Sequence, residues 1–238
     1  MSGSGLLLLV GVCRDFRRGR RRLRVLVDVS LEVGVGEIVA VLGSRGEGKT
    51  TLLEVAAGIA VPDAGDVWFE GVDLRGCSAQ ERSDLLGDRV AWIHRGGPGV
   101  KLSVLDYVEL PLRMGRKCGD PAARAMEALE RVGAVSCARQ QWEDLSNWER
   151  VLVEFARGIV SRPRLMLIDD VMDGLGMRRT RQAGELLCSL VEDYGFGVLM
   201  SVSDLEAALI ADRVLSFEHG GLTSMSDPNP HHTNIIPM

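Results

Sequence analysis

The chain has 238 residues, of which 46% are apolar and 26% charged, and this length allows one large α/β domain or two small ones. The composition is that of an ordinary soluble protein. The net charge of −5 argues against a general nucleic-acid binder, which needs a basic surface. We therefore expect no nucleic-acid partner.

One short segment departs from this acidic balance. Six arginines lie between Arg17 and Arg24. Such a cluster can contact phosphate groups or anionic lipid, but we favour a solvated hairpin turn.

The cysteines and the apolar segments bear on the compartment. The five cysteines are scattered without a C-x-x-C pair, so neither a zinc site nor a disulfide framework is indicated, and we expect reduced thiols in a cytosolic protein. The apolar run Leu6–Val10 is too short to span a bilayer and lacks the basic region and cleavage site of a signal peptide. No run of 18 apolar residues occurs, so we expect a partner to mediate any association with a membrane.

The first half of the chain is rich in predicted strands. Two of them are joined by the arginine-rich turn, a third is a fully apolar run followed by a helix, and a fourth follows a Pro-Asp-Ala-Gly turn. These elements are Leu6–Cys13, Arg24–Val33, Ile38–Leu42, the helix Thr51–Ala57 and Asp66–Glu70.

The second half alternates between helices and apolar strands. The strands are predicted at Val90–Ile93, Leu165–Ile168, Gly197–Val202 and Arg213–Phe217. The helices are predicted at Val104–Leu112, Pro121–Val132, Leu145–Val160, Arg178–Asp193 and Leu205–Ala211, and residues 226–238 are typical of a frayed tail. This alternation predicts a mainly parallel sheet with a nucleotide at its carboxyl edge.

The segment between Ile38–Leu42 and the helix after it fits G-x-x-x-x-G-K-[ST], the phosphate-cradling loop of nucleoside triphosphatases. Its glycines let main-chain N–H groups turn towards an anion, and the helix N-terminus adds positive potential. We expect Lys49 to reach the β- and γ-phosphates and the Thr50 hydroxyl to bind Mg²⁺. The predicted nucleotide-binding residues here are Gly43, Ser44, Arg45, Gly46, Glu47, Gly48, Lys49, Thr50 and Thr51.

A phosphate loop needs a carboxylate from another strand to hold Mg²⁺. Asp169 follows the apolar run Leu165–Ile168 and has the right residue type for this role. Asp169 or Asp170, taken singly, is also typical of a helix N-cap after a strand. Together with the phosphate loop, the metal role is the one we favour, so the predicted metal ligands are Thr50 and Asp169.

The order of these elements resembles the ATP-binding cassette of ABC transporters from about Leu6 to Leu222. Leu145-Ser146 opens the segment that matches the family's LSGGQ signature, and Ala211–Val214 matches its ending. The Glu-Leu-Pro-Leu sequence at 109–112 is similar to the branch that serves lipoprotein release and macrolide export. Phe16 lies where the family has an aromatic residue that stacks on adenine.

The resemblance implies a fold, a domain division and partners. The fold is a P-loop NTPase (RecA-like) α/β core with an antiparallel β subdomain and an inserted α-helical subdomain at about 96–160. We expect residues 1–225 to form a single domain and 226–238 a tail. The implied cofactors are ATP and Mg²⁺. The partners are a membrane permease subunit and a second cassette in a head-to-tail pair, which places the chain at the inner face of the membrane.

Several family positions that act on the γ-phosphate or the attacking water are altered here. The signature glycines are Asn147 and Trp148, and the D-loop aspartate is Gly176. The catalytic glutamate corresponds to Asp170 and the switch histidine to Ser203.

The Q-loop glutamine corresponds to Arg95, or to His94 if the loop is shifted by one residue. We prefer Arg95 and include it among the nucleotide-binding residues.

These changes predict retained Mg-ATP binding with weak hydrolysis, in which Asp170 is the catalytic carboxylate and Ser203 is inactive. A non-hydrolysing ATP-sensing subunit that regulates or scaffolds a membrane complex is the alternative. Soluble cassette proteins of translation or DNA repair are disfavoured, because neither a second cassette nor a long coiled-coil insertion is visible in the sequence.

Overall fold

The computed structural model describes residues 5–19, 21–114 and 119–225. The predicted tail, 226–238, lies outside these ranges. The described strands are β1 Leu7–Arg18, β2 Arg21–Val33, β3 Ile38–Leu42, β4 Ala64–Phe69, β5 Val72–Asp73, β6 Val90–His94, β7 Leu165–Asp169, β8 Gly197–Val202, β9 Arg213–Glu218 and β10 Gly221–Ser224. The described α-helices are α1 Lys49–Ala56, α2 Ala79–Leu86, α3 Val104–Met114, α4 Pro121–Arg131, α5 Asn147–Ile159, α6 Met177–Tyr194 and α7 Leu205–Ala208.

The larger sheet has six strands in the order β10-β9-β3-β8-β7-β6, and all of its pairs are parallel except β10 with β9. Strands β3, β7 and β8 are nearly continuous apolar runs because helices cover both faces of the sheet. Their carboxyl ends, at Leu42, Asp169 and Val202, lie at one edge. The prediction of a mainly parallel sheet is confirmed.

The smaller sheet is antiparallel, with the order β2-β1-β4-β5. Its first hairpin is longer than predicted, because both strands run through the arginine-rich segment that we expected to be a turn. Arg17 pairs with Arg22 across the hairpin, a like-charge arrangement that costs free energy. The carboxylate of Asp15 offsets it by forming ion pairs with Arg22 at 2.5 Å and Arg24 at 3.3 Å. Strand pairing therefore outweighs the charge repulsion here.

Helices α3, α4 and α5 pack against one another, and α5 also contacts β6 and α6. One continuous apolar core joins these helices to one face of the larger sheet. A capping box fixes where α5 begins: Ser146 Oγ accepts from the Glu149 main-chain N–H, and the Glu149 carboxylate accepts from the Ser146 N–H at 2.8 Å. N-caps of this kind stabilise a helix by about 1 kcal/mol.

Helix α2 was missed in the sequence, although Ser78 and Glu81 carry the capping-box spacing and form that box. The helix buries only Leu86. It therefore lacks the apolar periodicity on which the helix predictions rested.

Candidate nucleotide site

The phosphate loop joins β3 to α1 at the carboxyl edge of the larger sheet. Gly46 and Gly48 have φ values of 82° and 117°, in the region that favours glycine. A Cβ atom on Gly43 would lie 2.7 Å from the carbonyl oxygen of Phe217, so only glycine fits there. The loop thus has the conformation that turns main-chain N–H groups towards an anion at a helix N-terminus.

Lys49 is the buried cation of this loop, with only 4% of the residue exposed. Its Nζ donates to the carbonyl oxygens of Gly43 at 2.8 Å and Ser44 at 3.0 Å. Nζ also donates to Ser203 Oγ at 3.3 Å and lies 3.9 Å from Asp170 Oδ2. The ammonium group is therefore held at the loop, next to both predicted catalytic positions.

Thr50 and Asp169, the two predicted metal ligands, are in contact. Thr50 Oγ1 donates to Asp169 Oδ2 at 2.8 Å. The other carboxylate oxygen of Asp169 accepts from Ser201 Oγ, also at 2.8 Å. No motif in the sequence points to a role for Ser201, because its position opposite Asp169 in the β7–β8 register appears only in the folded sheet.

The donor set fits Mg²⁺, which prefers oxygen ligands and uses one or two protein groups together with substrate phosphates. Within 5–19, 21–114 and 119–225 no group of three or more His, Cys, Asp or Glu residues is placed to hold a metal by itself. A Mg²⁺ ion bound by Thr50 and Asp169 would neutralise charge on the phosphates.

Asp170 is half-buried beside this pair, with a φ of 49°. Its main-chain N–H donates to Ser201 Oγ at 3.0 Å, and Ser203 Oγ lies 3.4 Å from its Oδ1. Burial raises the pKa of the Asp170 carboxyl above its usual value, whereas the charge of Lys49 opposes that rise. Asp170 and Ser203 therefore do come together.

Phe16 lies on β1 and is 39% exposed. The Arg14 guanidinium carbon lies 5.3 Å from the centre of its ring. Phe16 lines an open cavity of about 300 Å³ together with residues of the phosphate loop. The other residues that line it are Val25, Gly46, Gly48, Lys49, Thr50, Thr51 and Asp170.

Four predicted residues of the loop do not line this cavity, namely Gly43, Ser44, Arg45 and Glu47. The last three of them take part in contacts that hold the loop in place. The carboxylate of Glu47 accepts from the Ser44 main-chain N–H at 2.9 Å. The Arg45 guanidinium forms an ion pair with Asp173 Oδ2 at 2.6 Å, which ties the loop to the segment after β7. These interactions stabilise the conformation of the phosphate loop.

Arg95 does not line the cavity at Phe16. It lines a second cavity, with Asn147, Glu154 and Asp173 among its neighbours. His94 ends β6 opposite Asp169, and burial and Arg157 lower its pKa. Arg95 thus lies one residue beyond the level of Asp169.

The segment at the signature position forms the first turn of α5. Asn147 is exposed, and the Trp148 ring is half-buried with the Arg179 guanidinium carbon 4.5 Å from its centre. The Glu149 carboxylate closes the N-terminus of the helix as part of the capping box. Hydrogen bonds from Ser146 lower the pKa of Glu149, which keeps it ionised.

Comparison with known proteins places this arrangement in a family. A family model described as "ABC transporter" matches residues 26–173, more than half of the chain. The chain belongs to the ABC transporter family. The matched range contains the phosphate loop, the Asp169–Asp170 pair and the whole of α5.

Solved structures share the fold of this cassette. Two dimeric structures of the cassette MJ0796 match with TM-scores of 0.83 and 0.81. The first is described as a bacterial ABC transporter cassette, and the second as a post-hydrolysis state bound to ADP and Pi. Their identities are 23% and 24%, over 91% of this chain and 96% of theirs. The cbiO1 protein of Clostridium perfringens, described as part of the complex cbiONQ, has a TM-score of 0.80 and 20% identity over 93% of this chain and 88% of its own.

The mixed α/β fold is therefore that of ABC cassettes, with an antiparallel sheet, a mainly parallel sheet and helices. None of the described helices is both long enough and apolar enough to cross a membrane.

Proposed function

We propose that the cassette binds Mg-ATP as the nucleotide-binding subunit of an ABC-type transporter or a related membrane complex, and that it hydrolyses ATP weakly. The observation that carries the proposal is the meeting of Lys49, Thr50 and Phe16 around one cavity, with Asp169 bonded to Thr50. An aromatic ring at one end and a cationic phosphate loop at the other suit a base and a triphosphate.

Weak hydrolysis is supported by the groups around the expected attacking water. Asp170 is one methylene shorter than glutamate, and a displacement of about 1 Å can cost about 10²-fold in rate. Its carboxylate lies near Lys49 Nζ and Ser203 Oγ. The hydroxyl of Ser203 has no charge to offer a γ-phosphate.

Assembly with other chains is the second part of the proposal. We propose a second cassette as a head-to-tail partner and a permease as the membrane partner, at the cytoplasmic face of a membrane. The dimeric MJ0796 structures and the description of cbiO1 as part of a complex support this. Residues 1–225 would act as one domain, with 96–160 as the helical subdomain that faces the permease.

A non-hydrolysing ATP sensor is the alternative function. The segment at the signature position favours it, because the Glu149 carboxylate closes the N-terminus of α5 and would repel a phosphate there. The bulky Trp148 side chain further restricts close approach of the main chain. In this alternative, ATP is bound without being hydrolysed, and its binding regulates or scaffolds a membrane complex.

Equilibrium titration of the purified chain with Mg-ATP tests the proposal. We expect saturable binding that Lys49→Ala weakens at least 10-fold, because the buried ammonium is held at the loop. Lys101→Ala is the matched control, since Lys101 is an exposed lysine outside this cavity and its loss should leave the affinity unchanged. Equal affinities for the wild type and Lys49→Ala, or no binding at all, would contradict the proposal.

A further inference from the structure

Glu154 on α5 is a buried carboxyl group that the nucleotide site does not use, with only 1% of the residue exposed. Its Oε1 accepts a hydrogen bond from the Tyr107 hydroxyl at 2.8 Å. Its Oε2 has no hydrogen-bond partner among the described residues, and Arg157 Nη1 lies 4.0 Å away. A buried oxygen without a hydrogen bond costs free energy, so a hydrogen-bond donor to Oε2 would stabilise the fold.

The carboxyl lines a cavity of about 90 Å³ between α5 and the loops after β6 and β7. A buried water needs roughly 10–15 Å³ of such space, so the cavity has room for a polar group. Arg95 lines the same cavity. Its side chain is exposed and makes no hydrogen bond or ion pair with the part of the chain that the structure describes. A Cβ atom on Gly174 would lie 3.5 Å from its Nη2.

We propose that Glu154 is the positioning partner of Arg95, whose guanidinium turns into this cavity and donates to Glu154 Oε2. The resulting ion pair ties the loop after β6 to α5. This loop begins directly after His94, which is level with Asp169. The pair therefore links α5 to the end of β6, next to the end of β7 that carries Asp169, and this goes beyond the proposed function.

The charges around Glu154 make this pairing sensitive to pH. Burial raises the pKa of Glu154 from 4.5 to about 7, while the Tyr107 hydroxyl and Arg157 oppose the rise. An opposite charge within about 4–6 Å favours the ionised form of a carboxyl group, so entry of the Arg95 side chain lowers the pKa of Glu154. Ionisation of Glu154 and entry of Arg95 are therefore linked. The groups that face the carboxyl or line its cavity are Tyr107 from α3, Arg150 and Arg157 from α5, the main-chain N–H of His94 from β6, Arg95, and Asp173.

Carbon-13 NMR titration of the glutamate carboxyl groups in the full chain measures the pKa of Glu154 directly. The Glu154 signal is assigned as the one that is missing from the spectrum of Glu154→Gln. We expect Arg95→Gln to raise the pKa of Glu154 by at least half a unit. Arg150→Gln is the control, because Arg150 lines the same cavity while donating to the carbonyl oxygens of Trp142 and Glu143. It should shift the pKa by less than half as much.

Arg95→Lys keeps the positive charge and should hold the pKa of Glu154 closer to the wild-type value than Arg95→Gln does. The proposal is overturned if Arg95→Gln titrates as the wild type does. It is also overturned if Arg95→Gln and Arg150→Gln shift the pKa equally, since that would reflect a general loss of positive charge. ATP affinity measured on the same samples keeps this result separate from the proposed function.

Discussion

Replacing Glu154 by glutamine should make the cassette more stable at neutral pH and change how its stability depends on pH. The pKa of Glu154 is raised from 4.5 to about 7 in the folded chain, so between these values the folded state holds a proton that the unfolded state has released. Glu154 therefore does not lower the free energy of unfolding below pH 4.5. Its destabilising effect grows as the pH rises and reaches its full value above pH 7. At about 1.4 kcal/mol per pKa unit, that full cost in the free energy of unfolding is about 3–4 kcal/mol.

Urea denaturation of the wild type and Glu154→Gln between pH 5 and pH 8 measures the cost. The free energy of unfolding of the variant should increase relative to that of the wild type as the pH rises. The increase should be about 3–4 kcal/mol at most, because pairing with Arg95 lowers the pKa of Glu154 and so reduces the cost. Glu149→Gln is the control without a pH dependence in this range: hydrogen bonds from Ser146 lower the pKa of Glu149, so the stability that its charge contributes is lost only as the pH falls below the usual pKa of glutamate. The difference between the wild type and Glu149→Gln should therefore stay constant between pH 5 and pH 8. A constant difference between the wild type and Glu154→Gln across this range would refute the reasoning.

Two further predictions concern the metal pair and the backbone. Thr50→Ala removes one of the two oxygen groups expected to bind Mg²⁺, so ATP affinity measured with Mg²⁺ and with EDTA should differ less than in the wild type; an unchanged ratio would contradict the metal role. Gly65→Ala should destabilise the fold by more than 1–3 kcal/mol, because φ is 83° and the new Cβ would lie 2.4 Å from the carbonyl oxygen of Gly11. Gly71→Ala, with a φ of 77° and open space around it, should cost only the backbone strain of about 1–3 kcal/mol, so equal thermal shifts of the two variants would contradict the steric argument.

Fully apolar strands were the part of the fold that could be predicted most closely. Strands β3 and β8 have the predicted bounds, because an apolar run between breakers has few other ways to be buried. The arginine-rich hairpin was predicted, but its strands are longer than expected, and α2 was not predicted. Cross-strand ion pairs and a capping box stabilise these two features, and hydrophobic periodicity reveals neither. Strand β10 was also missed.

Within the site, the phosphate loop and Asp169 could be predicted from their motifs, since each motif is a short stretch with its own strand or helix. Contacts between distant segments could not be predicted. Arg45 pairs with Asp173, which is 128 residues away, and Ser201 reaches Asp169 only through the β7–β8 register. No motif in the sequence marks Glu154, because its burial and its hydrogen bond from Tyr107 arise only in the folded chain.

The steady-state rate of ATP hydrolysis, measured at a Mg-ATP concentration that saturates binding, tests the central claim most directly. The purified chain should turn over far below the usual enzyme range of about 1–10³ s⁻¹. Asp170→Glu, which restores the missing methylene, should raise the rate, by up to about 10²-fold if positioning by Asp170 is the main defect. Turnover within the usual range that disappears in Asp170→Asn would show that the site hydrolyses ATP competently and would contradict the account.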